Sequence, residues 1–222
     1  MPRRNASEST TVGYDDRAHA GRVLAGHLTA AALTDPVVLG LARGGVPVAA
    51  EVARALHAPL RVCVARKIGA PGQPELAVGA VTAEGPADFD ERMLRSFGLD
   101  TAGMQQATDR ERAEARRREQ RFGSPGAEAL RGREAVLVDD GLATGATARA
   151  AVRMVRAAGA ARVVLAVPVG ARDAVAALRG EADEVVCVLQ PVSFAAVGQW
   201  YRDFAATDDA EIDRLLAELG AA

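Results

Sequence analysis

The sequence predicts an α/β fold with a mostly parallel, twisted sheet flanked by helices. Short apolar, β-branched runs alternate along the chain with longer amphipathic stretches, and this alternation builds parallel sheets. The 222 residues, of which 49% are hydrophobic, suffice for the core of one α/β domain. The same composition is incompatible with a disordered chain.

The individual elements follow from this alternation. An amphipathic helix is expected over residues 15–32, where Val23, Leu24 and Leu28 share one face. Strands are expected near residues 37–42, 60–65, 78–83, 135–139, 162–167 and 184–188. Further helices are expected near residues 46–56, 145–158, 172–179 and 209–219.

Residues 91–122 are helical in pattern and highly charged. The charges alternate in sign, with Arg110, Arg112, Arg116, Arg117, Arg118 and Arg121 among Asp109, Glu111, Glu114 and Glu119. Interleaved acids favour a solvated helix over a basic face for nucleic acid. We interpret the stretch as an insertion or an oligomer contact.

Charge and composition limit the possible partners, the cellular location and the domain organisation. We expect a disordered tail over residues 1–11 and a single domain over residues 12–222. A net charge of −2 gives no global attraction for nucleic acid or membrane. No apolar run approaches a membrane span, and the start lacks an apolar signal core, which predicts a cytoplasmic protein. Cys63 and Cys187 lie in predicted strands without metal spacing, so we expect reduced thiols.

One segment carries specific chemistry. Residues 136–147 read as a buried strand, then Asp139 and Asp140, then a loop of small residues that opens a helix. Carboxylates accept hydrogen bonds from a vicinal diol. Backbone N–H groups at a helix start suit a phosphate. Together these features predict a site for a ribose 5-phosphate.

Commoner phosphate motifs do not fit this segment. Gly141 and Gly145 are too close for a P-loop and no lysine follows them, and the Gly-x-Gly-x-x-Gly fingerprint of dinucleotide sites is absent. A strand-to-helix turn with a chance acidic pair remains the alternative.

The segment resembles the signature of the type I phosphoribosyltransferases, a hydrophobic strand and two acids before a loop ending Thr-Gly-x-Thr. The resemblance implies that Asp139 and Asp140 hold the ribose hydroxyls of phosphoribosyl pyrophosphate (PRPP). It assigns the 5-phosphate to Ala143, Thr144, Gly145, Ala146 and Thr147. Ala146 departs from the frequent glycine. Ala143 stands where hypoxanthine-guanine enzymes carry an aspartate and adenine-type members carry alanine.

A second turn follows the strand near residues 37–42. Arg43, Gly44 and Gly45 could offer backbone amides and fixed charge to an anion, although many such turns look alike. In the family that the chain resembles, a pyrophosphate-binding loop follows the first core strand. The resemblance therefore assigns these three residues to the pyrophosphate.

Lys67 is the one lysine among 27 basic residues. A compact ammonium suits a mobile phosphate contact, although one lysine could persist by chance. The glycines and prolines that follow it indicate a long loop. The resemblance implies that residues 66 to about 80 form a flexible loop that closes over the reaction centre, with Lys67 on the pyrophosphate.

Aromatic residues gather in the tail of the chain: Phe194, Trp200, Tyr201 and Phe204. Such clusters usually pack beneath a loop, and the alternative is a stacking surface for a flat heterocycle. The resemblance implies an acceptor hood formed by the N-terminal segment and residues from about 190 to 222, with Phe194, Trp200 and Asp203 as candidates.

The resemblance implies transfer of a phosphoribosyl group to a ring nitrogen, with release of pyrophosphate. Arg43, Lys67, Asp139 and Asp140 would be its catalytic residues. The implied cofactor is Mg²⁺, carried mainly by PRPP, so no protein ligand is assigned to it. The expected partners are PRPP, a small heterocyclic acceptor and a second copy in a homodimer. Two alternatives remain open: a PRPP-binding sensor without catalysis, and a protein of this fold that acts on a different pyrophosphate or phosphate ester.

Overall fold

A computed structural model of the protein describes residues 13–29, 32–123 and 125–220. The predicted tail of residues 1–11 lies outside the described residues. In chain order the elements are α1 (Arg17–Leu28), β1 (Pro36–Leu41), α2 (Gly45–Leu56), β2 (Leu60–Cys63), β3 (Ala65–Ala70), β4 (Gln73–Thr82), β5 (Asp88–Phe89), α3 (Glu91–Ser96), α4 (Gln105–Phe122), α5 (Ala127–Leu130), β6 (Glu134–Val138), α6 (Ala146–Ala157), β7 (Arg162–Val169), α7 (Arg172–Leu178), β8 (Glu184–Leu189) and α8 (Asp209–Leu219).

Five parallel strands form the central sheet, in the order β2-β1-β6-β7-β8. Helices cover both faces. One face packs against α1, α2 and α8, the other against α6 and α7. Strand side chains alternate between faces, so continuous apolar strands such as β7 supply both cores. The predicted α/β class with a mostly parallel sheet is confirmed. No helix in the described ranges is long and apolar enough to span a bilayer.

The stretch predicted as a long loop after Arg66 is instead a β-hairpin. Strands β3 and β4 pair antiparallel, and β5 adds a third strand to this second sheet. The register shifts on both sides of Gly69, and such irregularities accommodate glycine within a strand. The predicted strand near 78–83 is therefore the second arm of a hairpin and does not belong to the parallel sheet.

The base of the hairpin packs on the start of α6. Ala65, Ala80 and Ala150 form a small buried cluster, with Ala146 packed against it. Because only methyl groups lie between them, the backbones of the hairpin and the helix approach closely.

Ion pairs also connect β5, the third strand of the second sheet, to α6. The carboxylate of Asp88 in β5 is 9% exposed and pairs with Arg153 of α6, while Arg149 lies 3.8 Å from it. Arg153 also lies 3.1 Å from Glu181, just beyond α7. The small sheet is thus tied to the helix that follows the acid pair.

The charged stretch 91–122 contains two helices, α3 and α4, where one was predicted. Helix α4 buries Thr108, Ala115 and Phe122. Its charged residues pair with neighbours, for example half-buried Glu114 with Arg118 at 3.0 Å. These local pairs agree with a solvated helix.

Ala80 is fully buried between the hairpin and α6, so Ala80→Leu should force the two elements apart. Overfilled cores typically cost about 1–3 kcal/mol, and we expect the free energy of unfolding in urea to fall by that amount. Ala77→Leu, at a partly exposed position of the same strand, is the matched control and should cost less than about 0.5 kcal/mol. Equal losses in both variants would contradict the packing described.

Candidate active site

Two adjacent carboxylates stand at the carboxyl end of β6, the edge where open α/β sheets bind ligands. The backbone N–H of Asp140 donates to Oδ1 of Asp139 at 2.9 Å. Burial raises the pKa of both carboxyl groups, and the charge of Asp140 raises the pKa of Asp139 further. An ionised pair in this place requires hydrogen-bond donors or positive charge around it.

Arg17 holds Asp140, and the sequence reasoning missed it. Its Nε donates to Oδ2 of Asp140 at 2.9 Å, and its Nη2 lies 2.9 Å from the same oxygen. Its Nη1 donates to the carbonyl oxygen of Ala205 at 2.6 Å. The guanidinium carbon lies 3.9 Å from the centroid of the Phe204 ring. The charge of Arg17 opposes the rise that burial causes in the pKa of Asp140.

The loop after the acid pair leads into α6. Ala143 and Thr144 are exposed, and Gly145 has a φ of +75° directly before the first helical residue, Ala146. A positive φ favours glycine. The first-turn N–H groups of α6, which include that of the half-buried Thr147, lie at the positive end of the helix. This end suits an anion.

The turn after β1 lies directly against the acid-pair turn, because β1 and β6 are neighbours in the sheet. A Cβ atom on Gly45 would lie 2.5 Å from the carbonyl oxygen of Val138. One on Gly44 would lie 2.1 Å from Oδ2 of Asp140. Any side chain would separate the two turns. The fold therefore brings the residues predicted for ribose and for pyrophosphate into contact.

The side chain of Arg43 contacts the start of α8. It is 42% exposed, and its Nη1 lies 3.5 Å from Oδ1 of Asp209 at the start of α8. The peptide bond between Ala42 and Arg43 is cis. The backbone of the glycine turn faces the acid pair, and the guanidinium would have to leave Asp209 to reach a ligand there.

Lys67 lies on β3, two residues after Ala65 and opposite Ala80 of β4. Residues two apart in a strand, and residues paired across strands, share a face of the sheet. The exposed side chain of Lys67 is therefore on the face whose alanines pack on the start of α6. The lysine stands at the base of the hairpin.

The aromatic residues of the tail pack mainly with one another. Tyr14 and Tyr201 are buried, and Phe194 and Trp200 pack against them, partly buried. The Nε1 of Trp200 is buried without a hydrogen-bond partner among the described residues. This arrangement agrees with the packing interpretation of the cluster.

The N-terminal segment and the tail meet above the acid-pair turn. The backbone N–H of Tyr14 donates to the carbonyl oxygen of Trp200 at 2.8 Å. The Tyr201 hydroxyl donates to the carbonyl oxygen of Asp140 at 2.6 Å. Asp203 is exposed and accepts a hydrogen bond from the backbone N–H of Ala205 at 3.0 Å.

Possible metal ligands and the two cysteines were located in the part of the chain that the structure describes. It contains no group of three or more His, Cys, Asp or Glu side chains arranged around a metal ion. Cys63 and Cys187 are free, as predicted. Burial raises the pKa of the Cys63 thiol and raises that of Cys187 to about 12, so neither is a reactive thiolate.

Comparison with known sequences identifies the family. A family model described as "Phosphoribosyl transferase domain" matches residues 15–200. Two Mycobacterium tuberculosis sequences, from strains H37Rv and CDC 1551 and each named "Putative phosphoribosyl transferase", are 51% identical over 201 residues. The match covers 90% of this chain and 45% of theirs. The chain therefore spans about half the length of the curated relatives it matches.

Solved structures share the fold. The crystal structure of TT1426 from Thermus thermophilus is 44% identical, with a TM-score of 0.77, over 94% of this chain and 100% of that one. A hypothetical protein from Neisseria gonorrhoeae with bound ppGpp shares the fold at 14% identity and a TM-score of 0.52, over 93% and 96% of the two chains. With the family model matched over residues 15–200, the chain belongs to the type I phosphoribosyltransferase family.

Proposed function

We propose that this protein transfers the ribose 5-phosphate group of PRPP to a ring nitrogen of a nucleobase-like acceptor and releases pyrophosphate. The contact between the acid-pair turn and the glycine turn carries the proposal. There a Cβ atom on Gly45 would lie 2.5 Å from the carbonyl oxygen of Val138. This contact joins carboxylates suited to a diol with backbone suited to a diphosphate.

Each part of PRPP has a matching group in the site. Asp139 and Asp140 would accept hydrogen bonds from the ribose hydroxyls, which supply the donors that a partly buried acid pair requires. The loop of residues 143–147 would bind the 5-phosphate through backbone N–H groups at the start of α6. The backbone of Gly44 and Gly45 would bind the pyrophosphate.

Transfer breaks the C1–O bond of PRPP and forms a C1–N bond to the acceptor. The leaving pyrophosphate takes the bonding electron pair, and the acceptor nitrogen loses its proton to solvent. Positive charge develops at C1 in such glycosyl transfers, and the acid pair provides favourable negative potential. Lys67, from the base of the hairpin, would stabilise the leaving group, joined by Arg43 once it leaves Asp209.

The donor set fits Mg²⁺ carried mainly by the substrate. Mg²⁺ usually keeps several waters and binds through substrate phosphates with one or two carboxylates, and the acid pair offers carboxylate oxygens of that type. Bound to PRPP, the ion would supply positive charge to the leaving pyrophosphate.

The proposal is tested by a screen of nucleobases and related heterocycles with Mg²⁺-PRPP, in which pyrophosphate release is measured. We expect turnover with one acceptor class. The double variant Asp139→Asn, Asp140→Asn tests the ribose site. Its dissociation constant for PRPP should rise more than about a hundredfold, because two charge-assisted contacts to the ribose hydroxyls are lost. Calorimetric titration with Mg²⁺-PRPP measures that change.

The outcomes separate the two functions, transferase and sensor. Unchanged PRPP affinity in the double variant would refute the ribose assignment. Tight PRPP binding without turnover on any acceptor would favour a sensor, which is the alternative function. Absence of PRPP binding to the wild-type protein would refute both functions.

Gly45→Ala tests the contact between the two turns. The added Cβ atom would meet backbone at Val138 and Asp139, and backbone cannot give way as a flexible side chain can. We expect PRPP affinity to fall at least about tenfold. Gly26→Ala, where a Cβ atom meets nothing within 4 Å, is the control and should leave affinity unchanged. Equal PRPP affinity in the two variants would refute the pyrophosphate assignment.

The ligand-free acid pair should lower stability. The pKa of Asp139 is raised above its ordinary 3.8, so the folded protein holds this proton more tightly than the unfolded chain does. Wild-type stability should therefore fall as pH rises from about 4 through the raised pKa. Asp139→Asn lacks the charge and should melt at higher temperature at neutral pH, by roughly 2–4 °C for each kcal/mol regained.

Thermal melts of the ligand-free protein at about pH 4.5, 6 and 7.5 measure this effect, and the advantage of Asp139→Asn should widen with pH across the raised pKa. Asp173→Asn, at an exposed position in α7, is the control. A variant less stable than the wild type at each pH would contradict the prediction.

A further inference from the structure

We propose that Arg17 is a positioning residue that couples ribose binding at the acid pair to the placement of the tail segment, residues 200–205. The inference rests on the proposed function, since it takes PRPP as the ligand of the acid pair. Arg17 lies outside the acid-pair motif and takes part in no chemical step.

Three separate parts of the chain meet at the Arg17 side chain. The residue begins α1, both its Nε and its Nη2 contact Oδ2 of Asp140, and its Nη1 donates to the carbonyl oxygen of Ala205. The face of the guanidinium lies on the Phe204 ring at 3.9 Å. With 12% of the side chain exposed, the group is largely enclosed by these contacts.

The tail segment is fastened to the acid-pair turn a second time. The Tyr201 hydroxyl donates to the backbone carbonyl of Asp140, and the Tyr201 ring lies 4.9 Å from that of Phe204. The backbone of Asp140 therefore holds one end of the segment, and its carboxylate holds the other end through Arg17. A displacement of the acid-pair turn would therefore act on the segment at both ends.

A guanidinium is planar, and its donors have fixed relative directions. When ribose hydroxyls donate to the acid pair, the carboxylate of Asp140 shares its lone pairs between ligand and Arg17. Arg17 can follow a change at Oδ2 only by moving its contacts with Ala205 and Phe204. Ligand binding at the acid pair is thereby coupled to the segment that carries Asp203, a residue predicted to face the acceptor.

The chain contains a single tryptophan, Trp200, at the start of the tail segment. Its emission therefore reports the segment without interference from other tryptophans. Wild-type protein titrated with Mg²⁺-PRPP should show a change in Trp200 emission that follows the calorimetric binding curve. In Arg17→Met at saturating PRPP, the emission change should fall to about one fifth of the wild-type value or less, because a coupling of usual size between the two sites would be lost.

The control is Arg202→Met, in which an 84% exposed arginine of the same segment loses its pair with Asp15. This variant should keep the wild-type emission change. A full change in Arg17→Met with PRPP bound, or a wild-type emission that does not respond to PRPP binding, would overturn the inference. Absence of PRPP binding to the wild type would instead overturn the proposed function.

If Arg17→Met fails to fold or to bind PRPP, Phe204→Leu provides the test. It removes the ring beneath the guanidinium and leaves the Arg17–Asp140 pair, and Phe204 is 36% exposed, so the core is spared. PRPP affinity should stay within about threefold of the wild type, while the emission change falls at least about twofold. An undiminished emission change in this variant would overturn the inference.

Discussion

Two carboxylates side by side in a partly buried turn are the constraint on which the rest of the site depends. Asp139 and Asp140 each titrate above the ordinary range because burial disfavours their charge, and neighbouring like charges repel. The fold surrounds them with groups that moderate this cost: a backbone N–H on Asp139 and a guanidinium on Asp140. The hydroxyls of a bound diol would supply the remaining donors, so the predicted instability of the empty site and the proposed binding of ribose have one origin.

Close approach of backbones explains where small residues are required. Because β1 and β6 are neighbours, their following turns meet, and Gly44 and Gly45 leave no side chain between them. Ala146, which departs from the frequent glycine of the family signature, packs its methyl group against the alanine cluster beneath the hairpin. The alanine at position 146 therefore adds a packing contact, while Ala143 and Thr144 of the preceding loop remain exposed.

Periodic features were predictable from the sequence, and pairings between distant residues were not. The alternation of apolar strands and helices predicted the parallel sheet, and the acid-pair signature indicated the family. Arg17 is one of many arginines, and it meets Asp140 across 123 positions of chain, so no local pattern marks it. The hairpin was mistaken for a loop because glycine and proline weaken strand patterns. Antiparallel pairing and packing on α6 stabilise its strands although their local strand propensity is low.

The packing of the hairpin on α6 limits the closing motion that the family resemblance implies for this segment. Moving its base away would expose the buried Ala65 and Ala80 and would break the pairs of Asp88 with Arg149 and Arg153. Buried apolar area and a partly buried ion-pair network both resist that motion. Lys67 lies in this fixed part, opposite fully buried Ala80. The backbone of Lys67 is therefore fixed without a ligand, and the closing motion that the family resemblance implies would have to come from the far end of the hairpin, around its turn at residues 71–72.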